Sequence, residues 1–196
     1  MKNMSAPLLC AITLLSPLAL YGCGSAPLTT KVLDQSAFAK STSIAVMDFS
    51  AKDTSLHYGG NADSLGHIMA GYLHNELGSR ARGLLVYLGD SGVTPVDLVV
   101  DGEFTAINTG VEEERVFLGP LGSGGVTVAV KGVIRRPSGD IVAEFSKSKT
   151  SQGGPIGMGG ILAGDSDTIV DDIMSEIAED LAEFIVENIA AKERRW

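Results

Sequence analysis

The chain of 196 residues has little cysteine, few aromatic residues and no excess of positive charge. Only two cysteines occur, Cys10 and Cys23, and aromatic residues make up 6% of the sequence. Twenty-four acidic side chains outnumber 15 basic ones, which gives a formal net charge of −9. An acidic chain is repelled by phosphate backbones and by anionic lipid headgroups, so we expect no nucleic-acid partner.

The N-terminal region has the layout of an export signal. Lys2 is followed by an uncharged, mostly apolar stretch over residues 7–20. This stretch is shorter than the roughly 20 residues that a transmembrane helix needs, and Pro17 interrupts it. A weakly positive start followed by a short apolar segment is typical of a secretory signal peptide, here residues 1–22.

The end of the apolar segment resembles the lipobox of bacterial lipoproteins, with Leu20, Tyr21 and Gly22 before Cys23. Tyr21 is bulkier than the small residue usual at its position, and the alternative is an ordinary signal with an incidental cysteine. The resemblance implies cleavage between Gly22 and Cys23, with a diacylglycerol and an N-acyl chain attached covalently to Cys23. Because Gly24 and not Asp follows, it also implies the outer membrane, on its periplasmic face.

Cleavage and acylation would leave no free thiol. Cys10 departs with the signal and Cys23 carries lipid, which excludes disulfides, thiolate metal sites and a cysteine nucleophile. Only Lys2 is charged within the signal, so the mature chain carries about −10 (−9 minus one). The acyl groups are the only cofactor that we expect.

Residue patterns predict a flexible tether over residues 23–42 and a single α/β domain over residues 43–192. Two helices show apolar faces at helical spacing, and the second also has an acidic face. The expected fold is a two-layer sandwich, with a mixed sheet and both main helices on one face. The predicted strands are residues 43–49, 84–88, 97–107, 126–134 and 141–145; the helices are residues 63–78 and a last helix from residue 168.

Several stretches together resemble a known family. They are the strand from Ile44 to Phe49, the helix with Gly66 and Leu73, the segment from Val96 to Phe104 and the hairpin from Val126 to Phe145. Over residues 43–190 the chain is similar to bacterial lipoproteins of domain of unknown function 4410. It is more distantly similar to periplasmic α/β domains of the curli secretion lipoprotein, the Pel export lipoprotein and the Tol propeller protein. The resemblance implies a fold and a periplasmic address, without any catalytic residue.

No motif predicts an enzyme, a metal centre or a nucleotide site. His67 and His74 lie seven residues apart on one helix face, about 10 Å, which is too far for one metal ion. Neither has a recognisable carboxylate partner in the sequence. The glycine-rich stretches, residues 119–125 and 153–164, lack the Lys-Ser/Thr end of a phosphate-binding loop. The acidic face of the last helix is expected to be solvated, the alternative being a site for a cation or a basic partner.

One loop, residues 153–164, carries apolar side chains on a glycine-rich backbone: Ile156, Met158, Ile161 and Leu162. Such a loop suits contact with a protein partner, with the membrane surface or with another copy of the chain, or it covers a sheet edge. The sequence therefore predicts a membrane-anchored, non-catalytic interaction module for envelope maintenance or export. The alternative is a carrier that holds a lipid or another small hydrophobic ligand in a cleft between helices and sheet.

Overall fold

A computed structural model of the chain describes residues 26–51, 62–89, 95–109, 125–151 and 166–190. The sheet has the strand order β1-β6-β5-β4-β2-β3. Strand β2 pairs in parallel with β3 and β4, and the other pairs are antiparallel. The predicted mixed α/β fold is confirmed. The elements are β1 (Thr29–Val32), α1 (Gln35–Lys40), β2 (Ser43–Val46), α2 (Ala62–Arg80), β3 (Leu85–Leu88), β4 (Leu98–Asn108), β5 (Val126–Arg135), β6 (Ile141–Ser151) and α3 (Ser166–Ala190).

The core lies between the sheet and the two long helices. Alternating valines of β5 point inward, and each long helix buries one apolar face against the sheet. Burying a large aliphatic side chain contributes about 1.5–3 kcal/mol, so these faces account for much of the stability of the domain. The helical residues that fill the core are Leu65, Met69, Leu73 and Leu77 from α2, and Ile169, Ile173, Ile177, Leu181 and Ile185 from α3. No helix within the described ranges is long and apolar enough to cross a membrane.

Phe49 packs between α2 and β4, in space that exists because Gly66 and Gly102 have no side chains. Its amide donates a 3.2 Å hydrogen bond to the carbonyl of Gly66 inside α2. A Cβ at Gly66 would overlap the Phe49 carbonyl oxygen, and a Cβ at Gly102 would overlap the Phe49 ring. The ring also lies 6.2 Å from that of Phe104 and 6.4 Å from that of Phe145. Phe49, Gly66 and Phe104, which belong to the stretches that carry the family resemblance, are therefore needed for close packing between α2 and the sheet.

Asp97 joins the starts of β2 and β4. Its Oδ2 accepts hydrogen bonds from the amides of Thr42 and Ser43, at 2.7 and 3.1 Å, and from both hydroxyls, at 3.0 and 3.1 Å. The Thr42 amide is the main cause of the lowered pKa of Asp97, which burial opposes. An ionised carboxylate thus fixes the register of the parallel strands at their first residues.

Residues 29–40 are folded, contrary to the prediction of a flexible tether across residues 23–42. Strand β1 pairs with β6, and α1 buries Phe38 completely. The Phe38 ring meets the edge of Phe184 from α3 at 6.0 Å between centroids. A four-residue strand and a six-residue helix are too short to show a periodic pattern, so a single buried aromatic residue is the only signal in the sequence.

Asp34 caps the N-terminus of α1 and makes a pH-dependent contribution to the stability of the domain. It accepts hydrogen bonds from the Ser36 hydroxyl at 2.6 Å and from the Ala37 amide at 3.2 Å, and Arg136 lies 2.5 Å away. The Ser36 and Arg136 contacts lower its pKa from 3.8 to about 2. Because the folded-state pKa is depressed, this contribution is present above the unfolded value and is lost as pH falls toward about 2.

We therefore expect Asp34→Asn to destabilise the domain near neutral pH, with a penalty that shrinks as the solution is acidified below the ordinary pKa of 3.8. Urea unfolding of the wild type and the variant across this range measures the difference. A penalty independent of pH would contradict an ionised cap.

Candidate interaction surfaces

The residues that the sequence predicts to be functional lie outside the described part of the chain. The lipid attachment and the apolar loop therefore stay predictions. These residues are Gly22 and Cys23 at the cleavage site, and Ile156, Met158, Ile161 and Leu162 in the loop.

His67 has a carboxylate partner that the sequence did not indicate. Its Nδ1 lies 3.1 Å from Oδ1 of Asp48, which is 19 residues away in the chain and follows β2. Both side chains are more than half exposed, so the pair contributes at most about 1 kcal/mol. His74 instead contacts Asn75 at 3.3 Å. Among the described residues, no group of three or more His, Asp or Glu side chains is placed to hold a metal ion.

The acidic face of α3 is partly paired with basic residues. Glu176 and Glu179 stay about half exposed, but Glu176 meets Lys149 and Glu179 lies 2.6 Å from Arg80. Next to Glu179, Asp180 lies 2.5 Å from the ammonium group of Lys147, whose side chain is only 5% exposed. In β6 serine alternates with lysine, so both lysines project toward α3 and hold it to the sheet.

The opposite face of the sheet carries a groove of about 670 Å³ across the strands. Its floor includes Gly102 and Gly132, which pair across β4 and β5. Rows of outward side chains rise on both sides because neighbouring residues of a strand point to opposite faces. One row contains Lys31, Glu144, Val133 and Asp101, and the other contains Thr29, Ser146, Lys131 and Glu103.

Charges in this groove largely neutralise one another. The ammonium of Lys131 lies 2.9 Å from Glu103, its cross-strand partner, and that of Lys31 lies 3.8 Å from Glu144. Asp101 at the end of one row meets Arg135. Because these charges are paired and solvent-exposed, they give the groove no strong binding centre for an ion.

The β3 edge, residues 85–88, is one end of the described sheet and carries apolar side chains. Among the described strands it has a neighbour on one side only, β2. The amides of Leu85 and Gly89 donate to carbonyls of Thr42 and Val46 in the β2 segment, at 2.9 and 2.8 Å. Backbone groups alternate in direction along a strand, so those of Val86 and Leu88 point to the free side. Leu85 is 59% exposed and Leu88 is 41% exposed.

The two edges of the sheet differ in protection. Proteins usually protect a free edge with lysine, proline, a bulge or a covering segment. At the opposite edge, β1 carries Lys31 and two threonines. The β3 edge reads Leu-Val-Tyr-Leu, with no charge and no proline. An edge of this kind is suited to pair with an extended strand of another protein.

A family model, described as a domain of unknown function (DUF4410), matches residues 36–155, more than half of the chain. The chain belongs to this family. The DUF4410 match runs from α1 to just beyond β6 and leaves α3 outside. It includes Phe49 and the glycines around it, as well as the β3 edge. No curated protein sequence shows significant similarity to the chain.

Solved structures similar to this DUF4410 domain include proteins from two organisms. PelC of Paraburkholderia phytofirmans, a dodecamer, gives a TM-score of 0.49 at 13% identity, covering 79% of this chain and 97% of that chain. A single-residue variant of PelC gives 0.48 at 14% identity with the same coverage. A proposed lipoprotein from Caulobacter crescentus gives 0.40 at 14% identity, covering 81% of this chain and 96% of that chain.

Proposed function

We propose that this DUF4410 protein is an outer-membrane lipoprotein, and that its periplasmic domain is a non-catalytic interaction module in envelope maintenance or export. The observation that supports the module most strongly is the apolar, uncharged β3 edge, which pairs with β2 alone among the described strands. The lipobox at Cys23 supports the anchor. The partner is a protein that offers an extended segment, either a different protein or a second copy of the chain.

Strand addition explains how so short an edge could hold a partner. The backbone groups of Val86 and Leu88 supply hydrogen bonds, each with a net contribution of about 0.5–1.5 kcal/mol. Leu85 and Leu88 gain further stabilisation by leaving water, up to about 1.5–3 kcal/mol for a side chain that is fully buried. The costs of association offset part of this gain, so we expect a reversible complex, with specificity set by the side chains around the edge.

The alternative function, a lipid or small-ligand carrier, needs a cavity between the helices and the sheet. In the described part of the chain, aromatic and aliphatic side chains fill that layer, among them Phe38, Phe49 and Phe104. The groove across Gly102 and Gly132 lies on the other face of the sheet, outside that layer, and charge pairs run along its walls. The packing therefore favours the interaction module.

Val86→Pro tests the proposed edge pairing. Proline removes the outward amide of Val86 and keeps the bonds to β2, so we expect a melting temperature within a few degrees of the wild type but loss of the complex. Tyr87→Pro is the matched control, because it removes an amide that points toward β2 and leaves a carbonyl of β2 without its donor, which should destabilise the fold by about 1–3 kcal/mol.

Native mass spectrometry of the delipidated protein, alone and with envelope extract, provides the measurement. Multiples of the chain mass or a bound partner protein that disappear in Val86→Pro would support the edge. Complexes that survive in this variant would exclude it. A co-purifying lipid mass instead would favour the carrier.

Cys23→Ser tests the anchor. Without the thiol no thioether to diacylglycerol can form, so fatty-acid labelling should vanish and the protein should leave the membrane pellet. Each buried methylene of an acyl chain contributes about 0.8 kcal/mol, so two or three chains hold almost irreversibly and their loss should be nearly complete. Labelling that persists in the variant would contradict attachment at Cys23. Gly24→Ser, next to the thiol, is the control and should remain labelled.

A further inference from the structure

The folding of residues 29–40 shortens the chain between anchor and domain. Leu28 already packs against the core, and β1 begins at the next residue. Five residue steps separate Leu28 from Cys23, and a fully extended chain of that length spans about 18 Å. A tether that reached residue 42 would span about 65 Å. The domain is therefore held more than three times closer to its anchor than the sequence pattern predicts.

The short connection to the anchor starts from one defined position on the domain, beside Leu28. Leu28 lines a pocket together with Phe184 and Glu187 of α3. The helix that follows β1 is fixed to the same region, since Gln35 Nε2 donates a 3.2 Å hydrogen bond to the carbonyl of Asn188. The anchor thus joins the fold at the β1 edge and at the C-terminal half of α3.

The dimensions of the domain exceed the reach of the connection. Six strands at about 4.8 Å spacing place β1 and β3 about 24 Å apart, and the 25 residues of α3 extend about 37 Å. A connection of at most about 18 Å does not let the whole domain turn over above the bilayer.

We infer that the β1 edge and the C-terminal half of α3 form the face that lies against the lipid headgroups, and that the β3 edge points into the periplasm. This inference rests on the lipid anchor proposed above. Glu183 and Glu187 lie on the inferred membrane face, where an acidic surface gives no attraction to anionic headgroups. The short connection, and not surface charge, sets the orientation. A partner at the β3 edge then approaches from the periplasmic side.

Fluorescence energy transfer to the bilayer measures this orientation. Thr29→Cys and Leu85→Cys each introduce a labelling site into the lipidated full-length protein, in which Cys23 is blocked by its acyl chains. Each labelled protein is placed in vesicles of phosphatidylethanolamine and phosphatidylglycerol that carry an acceptor dye on the headgroup. Transfer from position 29 should exceed transfer from position 85 by roughly twofold or more, given the separation of about 24 Å. A Gly-Ser linker of about 20 residues inserted after Ser25 should remove most of this difference.

Equal transfer from both positions, or higher transfer from position 85, would overturn the inferred orientation. A difference that survives linker insertion would overturn the claim that the short connection sets the orientation, because the surface itself would then be binding the bilayer. Failure of the anchor gives a separate result: the protein would not float with the vesicles at all, as expected for Cys23→Ser.

Discussion

Replacing Gly66 by alanine should destabilise the domain by about 3 kcal/mol or more, because the added methyl group has no space. It would meet the backbone carbonyl of Phe49, and neither α2 nor the segment that follows β2 can shift without breaking hydrogen bonds, such as those that the Phe49 and Ser50 amides donate to the Gly66 and Gly102 carbonyls. Since α2 and β2 both belong to the core, we expect a lower midpoint in urea unfolding followed by circular dichroism.

Gly71→Ala, in the same helix, is the matched control with the opposite expected sign. A Cβ at Gly71 meets nothing within 4 Å. Alanine there reduces the entropy of the unfolded chain and should stabilise the helix by about 0.5–1 kcal/mol. If Gly66→Ala and Gly71→Ala changed the unfolding midpoint alike, the close contact between α2 and Phe49 would be contradicted.

Leu181→Ala should cost about 2–5 kcal/mol, because it leaves a cavity in a tightly packed layer. The side chain of Leu181 is fully buried in the centre of the apolar face of α3. Thermal unfolding of the purified domain measures the loss, and truncation of the chain at Asp167, which removes nearly all of α3, should abolish cooperative unfolding.

Glu183→Ala provides the comparison on the same helix. Glu183 is exposed, so its replacement should change the free energy of unfolding by no more than about 0.5 kcal/mol. If Leu181→Ala were equally mild, or if the truncated chain melted like the whole domain, the two-layer packing of α3 on the sheet would be refuted.

The sequence predicts the main elements of this fold because each carries a repeating pattern. Ile169, Ile173 and Ile177 mark the buried face of α3, and alternation along β5 marks the valines of the core. The mixed sheet follows from the order of these elements. The resemblance carried by Phe49 and its neighbours also led to the correct family.

What the sequence does not predict depends on contacts between distant residues. Strand β1 and helix α1 are too short for periodicity, and their place is set by Phe38 against Phe184. Asp48 comes beside His67 only when β2 packs on α2. The β3 edge was predicted as a strand, but its position at the end of the sheet depends on pairing order, which local sequence does not specify.

Cross-linking in living cells tests most directly whether the β3 edge binds a protein partner. A photoreactive amino acid is placed at Leu88 on the β3 edge or, for comparison, at Lys131 in the groove on the open face. If the β3 edge is the binding site, we expect a cross-linked protein product from position 88, its loss when Val86→Pro is added, and no product from position 131. Products from position 131 alone, or a product from position 88 that is unaffected by Val86→Pro, would contradict it.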